Sequence, residues 1–190
     1  MPLKKLSGEV VPSVDGPLAA FNSPIYQRRY IMSKLNDLPR NYTRFVAEPY
    51  TPTIGAYIHG LDLTRPLDEL TRQELKTALA EHEVIFFREQ PLTPNQQVEF
   101  TRIFGHVNEV KAFFPRLEDQ PEIEVIESTA TRPSAANNWH ADITWRENPP
   151  IGTSLYSQVI PSCGGDTIWV SLTQAFDHLQ QDFKAYLETL

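Results

Sequence analysis

The chain has 190 residues, 41% of them hydrophobic, with a formal net charge of −7 and an isoelectric point near 5.2. This length suffices for one substantial core, and the acidic balance argues against nucleic acid or an anionic membrane as a partner. No apolar run approaches the roughly 20 residues of a membrane span, and the first residues lack the apolar stretch of a secretory signal. With the single cysteine, Cys163, these features predict a soluble cytoplasmic protein.

Residues 1–41 differ in composition from the rest of the chain. Prolines and glycines recur there without a helical or strand period, so we predict an irregular N-terminal extension. Met32 begins a stretch that could be the native N-terminus of the protein. In that case the preceding residues are an upstream extension of the reading frame or a flexible arm. Residues 42–190 are predicted to form the folded domain.

The first half of this domain alternates strands and helices. Residues 54–59 and 84–88 are rich in β-formers, and the second run is apolar enough for a strand covered on both faces. Between them Thr71 and Glu74 predict a capping box that opens a helix. Thr93 and Gln96 predict a second box, with proline at the first helical position, and Gly105 ends that helix.

The second half contains three more predicted strands, at residues 122–127, 152–160 and 167–170. The turn between the last two contains paired glycines, which permit a tight reversal. Ser171 then opens a helix whose apolar stripe continues to Leu190, and an exposed stripe of this kind favours self-association into a homo-oligomer. Together these elements predict a mixed α/β (α+β) domain.

One pair of residues carries the strongest chemical signal, because His140 and Asp142 are two positions apart. In an extended strand such side chains leave the same face, so an imidazole nitrogen and a carboxylate oxygen would converge on one point. These are two of the three ligands of the facial triad that binds Fe(II) in non-haem oxygenases and leaves the opposite positions open. The alternative is a surface histidine beside a strand-end carboxylate, since short motifs of this kind also arise by chance.

The surrounding motifs resemble the TauD/TfdA family of Fe(II)- and 2-oxoglutarate-dependent dioxygenases. The resemblance rests on residues 138–145 (Asn-Trp-His-Ala-Asp-Ile-Thr-Trp), Pro149-Pro150 and residues 164–169 (Gly-Gly-Asp-Thr-Ile-Trp). Upstream, residues 60–63, 84–88 and 104–105 look like the same family's N-terminal half. The family's fold is a double-stranded β-helix, a cupin-like jelly roll with flanking helices, and by this resemblance the chain carries only its N-terminal portion, incomplete at the C-terminal side.

The resemblance also implies roles for individual residues. His140 and Asp142 would bind Fe(II), and the hydroxyl of Thr167 would hydrogen-bond a carboxylate of the cosubstrate 2-oxoglutarate, although a threonine leaving a turn is also an ordinary β-former. Asn138 would be a polar contact at the pocket mouth or a loop residue satisfying its own backbone. Phe113 lies where the family places substrate-contacting residues, and a buried loop anchor is the alternative.

The implied reaction is hydroxylation of a small organic substrate by O₂, with release of succinate and CO₂. In this family the attacked carbon often bears a sulfonate, a sulfate ester or an aryloxy oxygen, so that the product collapses to an aldehyde and an anion. Taurine-oxidising members carry an asparagine four residues before the first iron histidine, where this chain has Ala136. The resemblance therefore leaves alkyl sulfates, other sulfonates and aryloxyalkanoates as candidate substrates.

Two family residues have no counterpart in this sequence. In the family, a distal histidine and the arginine that binds 2-oxoglutarate lie well downstream of the glycine turn. After His140 the only histidine is His178, and no arginine follows Arg146. We therefore expect either a piece of a longer oxygenase or a truncated, non-catalytic cupin-like binding or assembly module.

Overall fold

A computed structural model describes residues 42–107, 114–129, 131 and 138–190. The predicted N-terminal extension at 1–41 lies outside these residues, and so does Phe113. The described elements are three strands and four helices, in the order β1 (Val46–Pro49), β2 (Ala56–His59), α1 (Glu69–His82), β3 (Ile85–Phe86), α2 (Pro94–Thr101), α3 (Leu172–Asp177) and α4 (Gln181–Leu187). None of these helices is long and apolar enough to cross a membrane.

The strands form one mixed sheet in the order β1-β2-β3. β1 pairs with β2 antiparallel, from Val46 opposite His59 to Pro49 opposite Ala56. β2 pairs with β3 in parallel, with Ala56 opposite Ile85, and α1 makes the crossover that a parallel pair requires. The turn between β1 and β2 needs Gly55, because φ there is 88° and an added Cβ would lie 3.1 Å from the Phe86 ring.

The two longer helices begin at side-chain caps. Thr93 caps α2 with a complete capping box, since its hydroxyl accepts from the backbone of Gln96 and the Gln96 side chain accepts from the backbone of Thr93. This prediction is confirmed, although the helix ends at Thr101, before Gly105. The box predicted at Thr71 and Glu74 is wrong. Asp68 caps α1 by accepting from the Thr71 backbone N–H at 2.8 Å.

The core lies between the sheet and the helices. Its buried members are Phe45, Ile58, Leu75, Ala78 and Ile103, and Leu75 and Ala78 have no exposed surface. Half-buried apolar side chains from β3, α2 and the turn after it complete the cluster: Ile85, Phe87, Phe100 and Phe104. The spacing of Leu75 and Ala78 places both on one face of α1, so this helix is fixed to the sheet along a single apolar stripe.

Glu74 is used for a long-range contact instead of a cap. Its carboxylate accepts from the hydroxyl of Thr43 at 2.7 Å and from the backbone N–H groups of Thr43 and Arg44 at 3.0 Å. Partial burial pushes the pKa of Glu74 upward, but these hydrogen bonds and the Arg44 charge outweigh it and hold the pKa below its ordinary value. Glu74 therefore ties the segment before β1 to α1.

The three strands predicted in the second half are wrong. Residues 152–160 and 167–170 have no strand structure, and residues 122–127 contribute only an isolated bridge between Arg116 and Glu124. A strand is stabilised by a ladder with a neighbour; within the described ranges the pairing of residues 122–127 stops at this one bridge, and no segment forms a ladder with residues 152–160 or 167–170. Their apolar side chains are consequently exposed, with Val159 at 88% and Ile168 at 70%.

The last predicted helix is interrupted. Ser171 caps α3 as predicted, by accepting from the Gln174 backbone at 3.0 Å. The helix ends at Asp177, and α4 begins after Gln180, so the predicted stripe is split between two short helices and Leu190 is 86% exposed.

The described part of the chain forms a mixed sheet with flanking helices. This arrangement agrees with the α+β part of the predicted fold class.

Candidate metal centre

His140 and Asp142 lie at the start of a turn, not in a strand as predicted. Residues 142–145 form the turn, and Ile143 has φ of 55°, in the left-handed region that β-branched residues avoid. The backbone therefore turns directly after Asp142. The two side chains nevertheless come together, with His140 Nε2 and Asp142 Oδ1 3.5 Å apart. Their role as iron ligands remains a prediction.

A hydrogen bond to the backbone determines which ring nitrogen of His140 keeps a free lone pair. Nδ1 lies 2.8 Å from the carbonyl oxygen of Asn138. A carbonyl oxygen only accepts hydrogen bonds, so Nδ1 carries the proton and donates it. In the neutral ring, Nε2 therefore presents a lone pair towards Asp142. Metal-bound histidines commonly have this arrangement, in which the second nitrogen donates to a carbonyl or carboxylate.

The two facing atoms suit a cation. Nε2 of the neutral ring and Oδ1 of an ionised Asp142 are both electron-pair donors, so they attract each other only through a proton or a metal ion between them. Metal–nitrogen and metal–oxygen bonds of roughly 2.1 Å at a right angle separate two donors by about 3.0 Å. The distance of 3.5 Å is close enough for both atoms to bind one ion after a small rotation of the side chains.

The second oxygen of Asp142 already has a partner. The hydroxyl of Thr153 donates to Asp142 Oδ2 at 3.0 Å. The contact of Thr153 could not be predicted from the sequence, because a threonine at the start of an apolar run carries no local signal for a contact eleven positions away. The hydrogen bond of the Asn138 carbonyl could not be predicted either, since every residue has a backbone carbonyl.

Tyr156 connects the segment containing Thr153 to the packed part of the domain. Its hydroxyl donates to the carbonyl of Gln90 at 3.0 Å and accepts from the N–H of Leu92 at 3.2 Å. Gln90 is itself fixed, because its side chain accepts from the Leu63 N–H at 2.8 Å. Of residues 151–160, Tyr156 alone is half-buried. The turn at residues 142–145 is thus linked through Thr153 and Tyr156 to the loop after β3.

Among the described residues, no third candidate ligand lies beside this pair. Within the parts of the chain that the structure describes, no group of three or more His, Cys, Asp and Glu side chains is arranged to bind a metal ion. His178 caps the end of α3 by hydrogen-bonding Gln174 O through Nδ1 at 2.6 Å. The pair therefore offers at most two ligands to a metal ion, and both side chains are more than half exposed to solvent, at 58% and 51%.

Thr167 follows the predicted glycine turn. Gly164 and Gly165 have φ of 76° and 72°, a conformation that side chains with a Cβ disfavour, and a Cβ on Gly165 would lie 3.2 Å from Pro161. Paired glycines are therefore required here, as predicted. Thr167 is exposed, and no hydrogen bond joins it to His140 or Asp142 within the described ranges.

The remaining predicted site residues differ in how far the structure describes them. Asn138 is exposed and contributes its backbone carbonyl to His140, while its side-chain role is untested. Trp139 and Trp145, which flank the pair, are 70% and 71% exposed, so neither belongs to the core. Phe114, next to Phe113, is 45% exposed, and its N–H donates to Glu124.

Comparison with known proteins shows the family of the chain. The family model described as taurine catabolism dioxygenase TauD, TfdA family matches residues 47–190. An alkylsulfatase of Acinetobacter baylyi is 35% identical over 141 residues, which are 74% of this chain and 44% of that protein. An alpha-ketoglutarate-dependent sulfate ester dioxygenase of Pseudomonas putida is 32% identical over 75% of this chain and 46% of its own length.

A solved structure also resembles the fold. The crystal structure of a taurine dioxygenase from Burkholderia xenovorans superimposes with a TM-score of 0.63 at 33% identity, over 76% of this chain and 51% of that one. The chain thus spans about half the length of the relatives that it matches. In all three comparisons most of this chain takes part.

Proposed function

Because this chain belongs to the TauD/TfdA dioxygenase family, we propose that it carries the first two iron ligands of an Fe(II)- and 2-oxoglutarate-dependent dioxygenase. Its fold is the corresponding portion of a double-stranded β-helix. The substrate is a small alkyl sulfate ester, and O₂ is the second substrate. We further propose that the protein acts in the cytoplasm, without nucleic acid or a membrane as a partner, and that it self-associates.

One observation carries the proposal. His140 Nε2 faces Asp142 Oδ1 at 3.5 Å while Asn138 O holds the opposite nitrogen of the ring. The carbonyl sets the tautomer in which Nε2 is a free donor atom, so the imidazole needs no proton rearrangement before it binds a cation. His178 has the same kind of hydrogen bond from Nδ1 to a backbone carbonyl, so what distinguishes His140 is the carboxylate oxygen that faces its Nε2.

The side chains divide the work of holding the ion. His140 contributes a neutral nitrogen, and Asp142 contributes one carboxylate oxygen whose negative charge partly offsets that of a divalent cation. When bound, Fe(II) together with 2-oxoglutarate supplies the oxidising power for hydroxylation of an unactivated C–H bond, with release of succinate and CO₂. The exposed faces of both side chains leave room for the cosubstrate and O₂.

Thr167 is the proposed partner of a 2-oxoglutarate carboxylate. Its hydroxyl is exposed and forms no hydrogen bond within the described residues, so it is free to donate to an incoming anion. The turn at Gly164 and Gly165 sets the direction of the backbone that leads to Thr167. The roles of Asn138 and Phe113 at the substrate side remain proposals by family resemblance.

Sulfate esters are favoured among the candidate substrates for two reasons. The two relatives found by sequence are named for sulfate ester chemistry, whereas the similar solved structure is named a taurine dioxygenase. Ala136 replaces the asparagine that taurine-oxidising members carry at this position. Hydroxylation of the carbon bonded to the ester oxygen gives an unstable product. Cleavage of its C–O bond releases sulfate and leaves an aldehyde, so one turnover consumes O₂ and 2-oxoglutarate and yields succinate, CO₂, aldehyde and sulfate.

The experiment compares substrates and site variants of the full-length protein that contains these 190 residues, because this sequence has no counterpart of the family's distal histidine and 2-oxoglutarate-binding arginine. Purified protein is incubated with Fe(II), 2-oxoglutarate, O₂ and either hexyl sulfate, taurine or an aryloxyacetate, and succinate and sulfate are quantified. We expect succinate and sulfate in equal amounts with hexyl sulfate, and at least tenfold less succinate with the other two. His140→Ala and Asp142→Ala should abolish product with every substrate.

Each other outcome changes the proposal in a defined way. Preference for taurine or the aryloxyacetate would overturn the substrate class and retain the iron site. Absence of succinate, together with Fe(II) binding that is unchanged in Asp142→Ala, would favour the non-catalytic cupin-like module. Succinate formation that survives both substitutions would exclude His140 and Asp142 as ligands.

A further inference from the structure

The two oxygens of Asp142 have different partners. Oδ2 accepts from the Thr153 hydroxyl at 3.0 Å, whereas Oδ1 faces His140 Nε2 at 3.5 Å. We propose that Thr153 is a positioning residue that holds Asp142 so that a single carboxylate oxygen, Oδ1, is presented to the metal ion. This inference rests on the proposed function, because it assigns a role only if Asp142 is a metal ligand.

Asp142 needs such a residue because little else restrains it. The side chain is 51% exposed, and within the described ranges the Thr153 hydroxyl is its only hydrogen-bond donor. A carboxylate rotates readily about its last bond, so without a donor both oxygens would be equally available to the ion. One hydrogen bond to Oδ2 selects Oδ1 and also fixes the plane of the carboxylate.

Thr153 is suited to this task by its own restraints. Its branched Cβ limits the side chain to few rotamers, so the hydroxyl direction follows from the backbone position. That position is set three residues further on, where the Tyr156 hydroxyl binds Gln90 O at 3.0 Å and the Leu92 N–H at 3.2 Å. The hydrogen bonds of Tyr156 and Thr153, joined by the backbone between these two residues, therefore connect the loop after β3 to Asp142 Oδ2.

The inference predicts a change in metal affinity. Hydrogen bonds that orient a ligating side chain typically change metal affinity by about 10-fold to 100-fold. Thr153→Val keeps the branched shape and removes the donor, so it should weaken Co(II) binding by at least about tenfold. Thr153→Ser keeps the donor and should stay within about threefold of the wild type.

The test is a Co(II) titration of the full 190-residue chain, followed by the ligand-field absorption bands of the bound ion. Asp142→Ala defines the signal that belongs to this site. Ser154→Ala is the matched control, because Ser154 is the exposed neighbour of Thr153 and its hydroxyl forms no hydrogen bond within the described residues. We expect Ser154→Ala to bind like the wild type. Circular dichroism checks that each variant keeps its helices.

The outcomes separate this inference from the proposed function. If Co(II) binding depends on Asp142 but Thr153→Val binds as tightly as the wild type, the role of Thr153 is refuted and the metal site stands. If Thr153→Ser is as weak as Thr153→Val, the hydroxyl is not the cause and the inference is also refuted. If binding is the same in the wild type and Asp142→Ala, the metal site itself fails, and the role of Thr153 fails with it.

Discussion

Residues 42–107 and residues 138–170 are held in place in different ways. The first region has a sheet, two capped helices and a core in which Leu75 is fully buried. The second has no helix or strand, is almost entirely exposed, and is positioned by single hydrogen bonds such as those of Thr153 and Tyr156. The folding free energy therefore resides mainly in the first region, while the proposed iron ligands lie in the second. A substitution should affect one of these properties and largely spare the other.

The largest expected effect is on the stability of the first region. Leu75→Ala removes a side chain with no exposed surface and should lower the free energy of unfolding by about 3 kcal/mol, since buried Leu→Ala changes cost roughly 2–5 kcal/mol. Urea unfolding followed by circular dichroism measures the change. Leu70→Ala on the same helix is the control, because Leu70 is 45% exposed. Equal losses in both variants would contradict the assigned core.

The same Val→Thr substitution at a buried and at an exposed position tests this difference between the two regions. Val98→Thr places a hydroxyl at a position that is 3% exposed and should cost about 1–3 kcal/mol. Val159→Thr makes the same change in the second region at 88% exposure, and should alter the free energy of unfolding by less than about 0.5 kcal/mol. A large loss at Val159 would show that this segment contributes to the cooperative fold.

Loss of a helix cap should have an intermediate effect. Thr93→Ala removes the side chain that caps α2 and should destabilise the domain by about 1 kcal/mol. The control is Thr77→Ala on α1, where the hydroxyl bonds only the carbonyl of Gln73 at 3.1 Å and alanine is the better helix former. Urea unfolding should show a neutral or stabilising effect for Thr77→Ala.

The connection between the two regions should respond to a single hydroxyl. Tyr156→Phe leaves Gln90 O and the Leu92 N–H without this partner and should cost about 1 kcal/mol or less. Hydrogen exchange should accelerate most around Leu92. Tyr50→Phe serves as the control, because the Tyr50 hydroxyl forms no hydrogen bond within the described residues. Unchanged exchange in Tyr156→Phe would show that Tyr156 does not connect the regions.

The smallest expected effect is a change in pH dependence. The pKa of Glu74 is lowered in the folded state from its ordinary value of 4.5, so its stabilising contribution is complete above that value. It is lost as the pH falls through the folded-state pKa. Urea midpoints measured from about pH 6 down to about pH 3 should therefore fall less steeply in Glu74→Gln than in the wild type. Parallel curves would contradict the hydrogen-bonded state of Glu74.

Local hydrogen bonding explains which elements the sequence could predict. The capping box of α2 and the Ser171 cap of α3 involve residues three apart, so their signals are contained in a short window. Thr71 and Glu74 matched the same pattern, but Asp68 takes the Thr71 N–H and Glu74 bonds Thr43 instead. A contact over 31 positions cannot be predicted from a window of four.

The candidate site shows the same limit. The proximity of His140 and Asp142 was predicted from strand geometry, whereas the two residues lie at the start of a turn and not in a strand. The apolar runs at 152–160 and 167–170 have the composition of strands, but composition does not supply the neighbouring strand that completes a ladder. Thr153 carried no signal, because its importance follows from where Asp142 comes to lie.

The most direct measurement is the position of iron relative to His140 and Asp142. Crystals of the chain grown with Fe(II) under anaerobic conditions would be analysed by anomalous diffraction at the iron edge. The predicted result is one peak lying about 2.1 Å from both His140 Nε2 and Asp142 Oδ1, as metal–ligand bonds require. A peak elsewhere, or none with the two side chains turned apart, would contradict the iron-binding role of this pair.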